Sequence, residues 1–196
     1  SSALAWERAA FIKARAAAGD IAAGERFLAA IRPFVWRRSL DFGAIGDIRR
    51  LSVRIRASHA GPREPRPGFN VKLGRGGIRE IEFFAQTHQL IHGGRDPSLR
   101  VRATCAALKA LAAAGVIEEN AAEVLCGAYE RLRTVEHRLQ MVEDKQTHTL
   151  PDGAALDAVA RLDGLGSGAE LVAELREVTQ KVAAHYDALI AEEDRA

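Results

Sequence analysis

Apolar residues recur along the chain at spacings of three and four, and no stretch alternates convincingly with period two. This spacing predicts helices over residues 4–18, about 24–41 and about 43–58, with Pro33 starting a new helix or bending the second. Gly61-Pro62-Arg63-Glu64-Pro65-Arg66-Pro67-Gly68 cannot be helical and reads as the one clear linker. Beyond it the pattern predicts helices at about 78–92, 99–114, 119–143 and 154–162. Ser167-Gly168-Ala169-Glu170 has the form of a capping box and opens a last helix. In the 119–143 segment Leu125, Ala128, Leu132, Val135, Leu139 and Val142 step by threes and fours along one packing seam. On the last helix Leu171, Leu175, Val178, Val182 and Leu189 share a face. The expected fold is an all-α helical bundle, divided into helices in 1–60, a Pro/Gly-rich linker in 61–70 and a second bundle in 71–196.

Composition narrows the classes. The chain has 196 residues, 47% hydrophobic and 28% charged, which is too apolar for a disordered polymer and long enough for a real core. No apolar run approaches the roughly 20 residues of a membrane span, and Glu7, Arg8, Lys13, Arg15 and Asp20 interrupt any secretory core near the start. Two cysteines, Cys105 and Cys126, fit reduced thiols and a cytoplasmic location better than a disulfide scaffold. Beginning with Ser1-Ser2 instead of Met, the sequence reads as a piece of a longer chain. Net charge is only +2, but between Arg32 and Arg79 twelve Lys and Arg stand against three acids, and between Pro151 and Ala196 ten acids against four bases. Such a polar distribution steers an anionic ligand to one end, unless the arginines simply cover apolar surface.

The segment from Asn70 to Phe83 is the most unusual. Gly74, Gly76 and Gly77 precede a helix, where glycine lets the backbone approach a ligand and unpaired N–H groups favour an anion. Lys72, Arg75 and Arg79 add positive charge there, as a phosphate site needs. The segment matches neither G-x-G-x-x-G, since Arg79 stands at the last glycine, nor the P-loop. A tight turn is the other reading. Glu82 and Glu136 fall on or beside apolar stripes, so each needs a cationic partner, for which Arg79, Arg133 and Arg138 are available, or serves a metal, water or ribose. His88 and His92 are four apart, but Gln89 occupies the place of a zincin glutamate and no third ligand is evident, so no metal site is expected. His137 and His148 read as polar packing or surface. The aromatics of the basic stretch have core-like spacing, so nucleic acid is not an expected partner.

The residues then match a known family in order and spacing. They are Trp6-Glu7-Arg8, Lys13-Ala14-Arg15, Gly19-Asp20, Pro33-Phe34-Val35 and Leu40-Asp41-Phe42, followed by Lys72-Leu73-Gly74-x-Gly76-Gly77-Ile78-Arg79-Glu80-Ile81-Glu82-Phe83. Next come Gln86, Gln89-Leu90, Gly93-Gly94-Arg95-x-Pro97-Ser98-Leu99, Leu132-Arg133, Glu136-His137, Leu139-Gln140 and Asp144-Lys145-Gln146-Thr147-His148-x-Leu150-Pro151. Together they resemble the bifunctional glutamine synthetase adenylyltransferase/adenylyl-removing enzymes, and the Arg-Glu-Ile-Glu-Phe form and the Gln-Thr-His-x-Leu-Pro loop resemble the adenylyl-removing half. The resemblance implies a helical domain that follows a polymerase-β-type nucleotidyltransferase domain. It also implies Mg²⁺ and ATP or ADP as cofactors of the whole enzyme, glutamine synthetase and the PII signalling protein as partners, and phosphate as the acceptor that releases ADP. The Asp-x-Asp metal motif of that family occurs nowhere in the chain, so the chain alone is expected to be inactive and to bind no cofactor tightly. On this resemblance Lys72, Gly74, Gly76, Gly77 and Arg79, with Lys13 and Arg15 as further candidates, would face nucleotide or phosphate. Glu80 and Glu82 would support the chemistry. The competing expectation is a non-catalytic module that docks glutamine synthetase or PII.

Overall fold

The computed structural model describes residues 5–38, 46, 50, 53 and 61–193. Among them lie seven α-helices and no sheet: α1 (Ala5–Ile12), α2 (Ile21–Val35), α3 (Ile78–His92), α4 (Thr104–Ala113), α5 (Glu119–Glu143), α6 (Gly153–Leu162) and α7 (Gly168–Glu193), with a 3-10 turn at Pro97–Leu99. The all-α expectation holds. The described residues form two compact units, one drawn from Ser1–Ser52 and Phe83–Ala122, the other from Val53–Glu82 and Glu123–Ala196. The unit boundary thus falls inside α3 and α5.

In the first unit, α1 is shorter than its alanine-rich sequence predicts. It ends at Ile12, and residues 14–18 are irregular. Tertiary ties outweigh propensity here: Lys13 Nζ donates to Thr104 Oγ1 at 3.2 Å, and the chain turns at Gly19 with φ +71°. Asp20 then accepts from Ala23 N at 2.8 Å and starts α2 earlier than expected. Pro33 lies within α2, which ends two residues later. Phe11 packs on Phe27 and Phe34 at ring distances of 6.1 and 6.5 Å. The helix expected at 43–58 lies largely outside the described residues. The helix expected from 99 begins at Thr104 instead, because Gln89, itself buried, donates its amide to the carbonyls of Leu99 and Val101 at 2.7 and 2.8 Å. Those oxygens are therefore engaged outside a helical ladder.

The second unit is built on the seams read from the sequence. Leu125, Ala128, Leu132, Val135 and Leu139 of α5 are buried, and only Val142 is half-buried. Leu171, Leu175, Val182 and Leu189 of α7 are buried too, but Val178 gives way to Thr179, whose hydroxyl donates to Leu175 O at 2.8 Å. Ser167 Oγ accepts from Glu170 N, while Glu170 returns to Gly166 N and not to Ser167 N, so the capping box closes one residue early. The segment 61–70 is firmly held. Gly68 N donates to Leu150 O, Leu150 N to Phe69 O and Val71 N to His148 O, all at 2.8 Å, around an antiparallel bridge between Asn70 and Thr149. Phe69 and Val71 are fully buried. No described helix is long and apolar enough to cross a membrane.

Candidate functional site

The glycine-rich turn owes its shape to its own hydrogen bonds. Asn70 Oδ1 accepts from Lys72 N and Leu73 N at 3.0 and 2.9 Å, and Asn70 O accepts from Gly74 N at 2.8 Å. At the start of α3, Ile78 N donates to Val71 O, Arg79 N to Lys72 O and Glu80 N to Gly77 O. Gly76 N donates to the buried carboxylate of Glu80 at 2.9 Å. The amides expected to be open to an anion are thus already occupied, and the turn holds an internal anion, Glu80. Any external phosphate must be met by side chains, not by this backbone.

The glycines have a packing reason. Gly76 has φ +73°, and a Cβ on it would run into the Thr179 backbone of α7. On Gly77 it would stand 2.7 Å from Val71 O, and on Gly74 2.6 Å from Asn70 O. These three glycines let the turn pass tightly over neighbouring backbone.

What the turn positions is charge. Glu136 on α5 is 1% exposed. Its carboxylate lies 2.5 Å from Arg133 Nη1, 2.8 Å from His148 Nδ1 and 3.6 Å from Lys72 Nζ. The side chains of Lys72 and Arg133 remain 30% and 37% exposed. Arg79, more exposed still, pairs with the half-buried Glu82 at 3.8 Å. One buried carboxylate therefore organises a lysine and an arginine whose positive charge exceeds its own, with a histidine beside them, a composition that favours an anion at the open side. From the sequence, Arg133 reads as a possible partner for a buried glutamate, and His148 as packing or surface. His148 falls in the Gln-Thr-His-x-Leu-Pro motif, but nothing in its spacing points to Glu136, because the bridge next to it is too short to leave an alternating pattern.

The remaining candidates lie elsewhere. Lys13 and Arg15 belong to the first unit, Lys13 tied to Thr104 and Arg15 exposed. His88 and His92 stack at 6.2 Å. Burial, and then the neighbouring His92, lowers the His88 pKa to about 4. Among the described residues no group of three His, Cys, Asp or Glu could hold a metal ion, and Cys105 and Cys126 form no disulfide.

A second cluster on the same helix has the opposite composition. Arg131 forms a two-pronged pair with Glu174, through Nε to Oε1 and through Nη2 to Oε2 at 2.8 Å, and also pairs with Asp163. Its hydrogen bond to Glu174 raises its own pKa and lowers that of Glu174.

Comparison with known proteins agrees with the motif reading. The bifunctional glutamine synthetase adenylyltransferase/adenylyl-removing enzyme of Bradyrhizobium diazoefficiens is 51% identical over 190 residues, 96% of this chain and 19% of that protein. The proteins of the same name from Agrobacterium fabrum and Xanthobacter autotrophicus are 51% and 52% identical over 97% and 92% of the chain, which covers 19% and 18% of them. The chain thus spans about a fifth of the length of these curated relatives. The family model described as GlnD PII-uridylyltransferase matches residues 49–190, so the chain belongs to that family, and the relatives it matches within it are the bifunctional glutamine synthetase adenylyltransferase/adenylyl-removing enzymes.

Proposed function

We propose that this chain is the helical domain of an adenylyl-removing half, and that the cluster around Glu136 gathers the phosphate that splits adenylyl-tyrosine into tyrosine and ADP. The observation that carries this reading is the charge composition of that cluster: Lys72 and Arg133, with His148 beside them, against one buried carboxylate. Arg79 lies beside Lys72 through the Arg79 N to Lys72 O bond and extends the cationic face. Glu80 shapes the turn, and Glu136 holds the cations apart and in place. Gly74, Gly76 and Gly77 contribute by setting the turn, not by lending amides. Lys13 and Arg15 stay secondary candidates for contacting the same substrate.

The residues present do not fit a magnesium site, because no described group of carboxylates or histidines converges and the sequence has no Asp-x-Asp. On this proposal Mg²⁺ and the nucleotide are held by a nucleotidyltransferase domain, glutamine synthetase is the substrate, PII is the regulator and the location is cytoplasmic. The chain by itself has no turnover.

The test is phosphorolysis of adenylylated glutamine synthetase by the full-length enzyme. Lys72→Ala and Arg79→Ala are expected to raise the KM for phosphate without changing the adenylylation rate, and unchanged phosphate dependence overturns the proposal. ADP release by the 196-residue chain alone overturns the claim of inactivity. If the same variants weaken binding of glutamine synthetase or PII while phosphate dependence is unaltered, the domain is a docking module instead. Gly77→Asp is a poor probe, since its side chain would displace backbone before it could repel an anion.

A further inference from the structure

Within the second unit, a separate cleft of about 230 Å³ opens between the 63–65 segment, the glycine-rich turn and α7. Three arginines line it: Arg63, Arg75 and Arg176. Two of them are held in place by their own contacts. Arg176 Nε donates to Pro65 O at 3.1 Å, which fixes the plane of its guanidinium and leaves its two terminal nitrogens for a ligand. Arg75 Nη2 pairs with Asp187 at 2.7 Å, which aims the rest of its fork. Arg63 is exposed and has no carboxylate partner among the described residues. Glu64 is the only carboxylate among the lining residues, and Gln180 adds an exposed amide. The walls are rigid where it matters, because Gly76 packs directly on the Thr179 backbone.

We propose that this cleft binds a small oxyanion of the phosphate class, at a site separate from the Glu136 cluster. Guanidinium forks bind planar or tetrahedral oxyanions through paired N–H groups, and with Arg75 already matched by Asp187, Arg63 and Arg176 exceed what Glu64 neutralises by one charge. The volume is below the roughly 300–1,000 Å³ of pockets that enclose a drug-sized ligand, so the cleft takes a phosphoryl group and leaves a nucleoside outside. The anion comes either free from solution or as the terminal phosphate of a nucleotide. Of the three arginines, Arg63 and Arg176 lie outside every motif that the sequence connects with phosphate, and Arg75 enters there only as general positive charge.

The experiment is a calorimetric titration of the chain with inorganic phosphate at constant ionic strength, in a Lys72→Ala/Arg133→Ala background that removes the lysine and the arginine of the Glu136 cluster. Saturable binding is expected there. Adding Arg63→Ala and Arg176→Ala should weaken it by about tenfold or more, the scale of one lost charge-assisted contact. Because Arg176 also holds Pro65, Arg176→Lys is the second variant: it keeps the charge, loses the fork and should fall between the two. Circular dichroism checks that each variant is folded. Absence of saturable binding in the background overturns the proposal, as does binding that survives the loss of Arg63 and Arg176 or that sodium chloride abolishes at equal ionic strength. A parallel titration with ADP separates the two sources: tighter binding than phosphate, lost in the same variants, assigns the site to a nucleotide's terminal phosphate.

Discussion

Two charge clusters sit five residues apart on α5 and use the same chemistry in opposite proportions. At Arg131, one guanidinium is held by two carboxylates, Glu174 and Asp163, so its hydrogen-bonding capacity is spent inside the protein. At Glu136, one carboxylate is shared by Arg133, His148 and Lys72, and positive charge is left over at the surface. The first arrangement is a clasp between helices. The second is an incomplete pairing, and an incomplete pairing of buried and half-exposed charge is what an anionic ligand can complete. Counting arginines does not separate the two; counting their partners does.

The largest effect should come from removing the support of the second cluster. Gly76→Ala places a side chain at φ +73° against the Thr179 backbone, and the combined strain and overpacking should cost about 3 kcal/mol or more, read from the urea midpoint. Glu136→Gln comes next. It leaves two cations and a histidine without their buried counter-charge and should cost about 3 kcal/mol, while phosphate should recover part of the loss. A Glu136→Gln chain that phosphate does not stabilise would break the contrast drawn above.

Arg131→Ala tests the clasp. It should cost about 2 kcal/mol and leave any response to phosphate unchanged. It should also alter the acid limb. The Glu174 pKa is held below its ordinary 4.5 by Arg131, so that stabilisation is present above about pH 4.5 and is lost as pH falls through the lower folded value. Without Arg131 the decline in that window should be shallower.

His88 adds a separate loss that must be subtracted. Its folded pKa of about 4 lies below the ordinary 6.5, so the unfolded chain takes up the proton first and stability falls as pH drops from 6.5 towards 4. The full amount is at most about 3.4 kcal/mol, and a His88→Leu chain should lack it. The smallest change is expected for Lys72→Ala, a half-exposed charge worth under about 1 kcal/mol to the fold. Its effect belongs in phosphate dependence, and a large stability loss with no such effect would make Lys72 another clasp.

The sequence was informative where period and composition act locally. The seam of α5, that of α7 apart from Val178, and the bounds of α3 and α5 follow from spacing alone, and the motif order identified the family. It was less informative where a long-range contact decides. Residues 14–18 have helical composition but yield to the Lys13–Thr104 tie and the turn at Gly19. Residues 100–103 lose their helix to the side chain of Gln89. The Pro/Gly stretch of 61–70 reads as a linker because its prolines forbid a helix, yet hydrogen bonds to the 148–150 loop hold it in place.

The candidate site divides in the same way. Glycines, a lysine and an arginine before a helix are visible in the chain, and so is the expectation of an anion. That the amides are already taken by Asn70, by loop carbonyls and by Glu80 is visible only in three dimensions. So is the meeting of residues 72, 133, 136 and 148, which no periodicity connects. The sequence by itself determined the helices, their apolar faces and the family, because those depend on side chains three and four apart. The tertiary structure alone decided which charges are matched and which are left in excess, because a buried charge is satisfied by whatever the fold brings within a few ångströms of it.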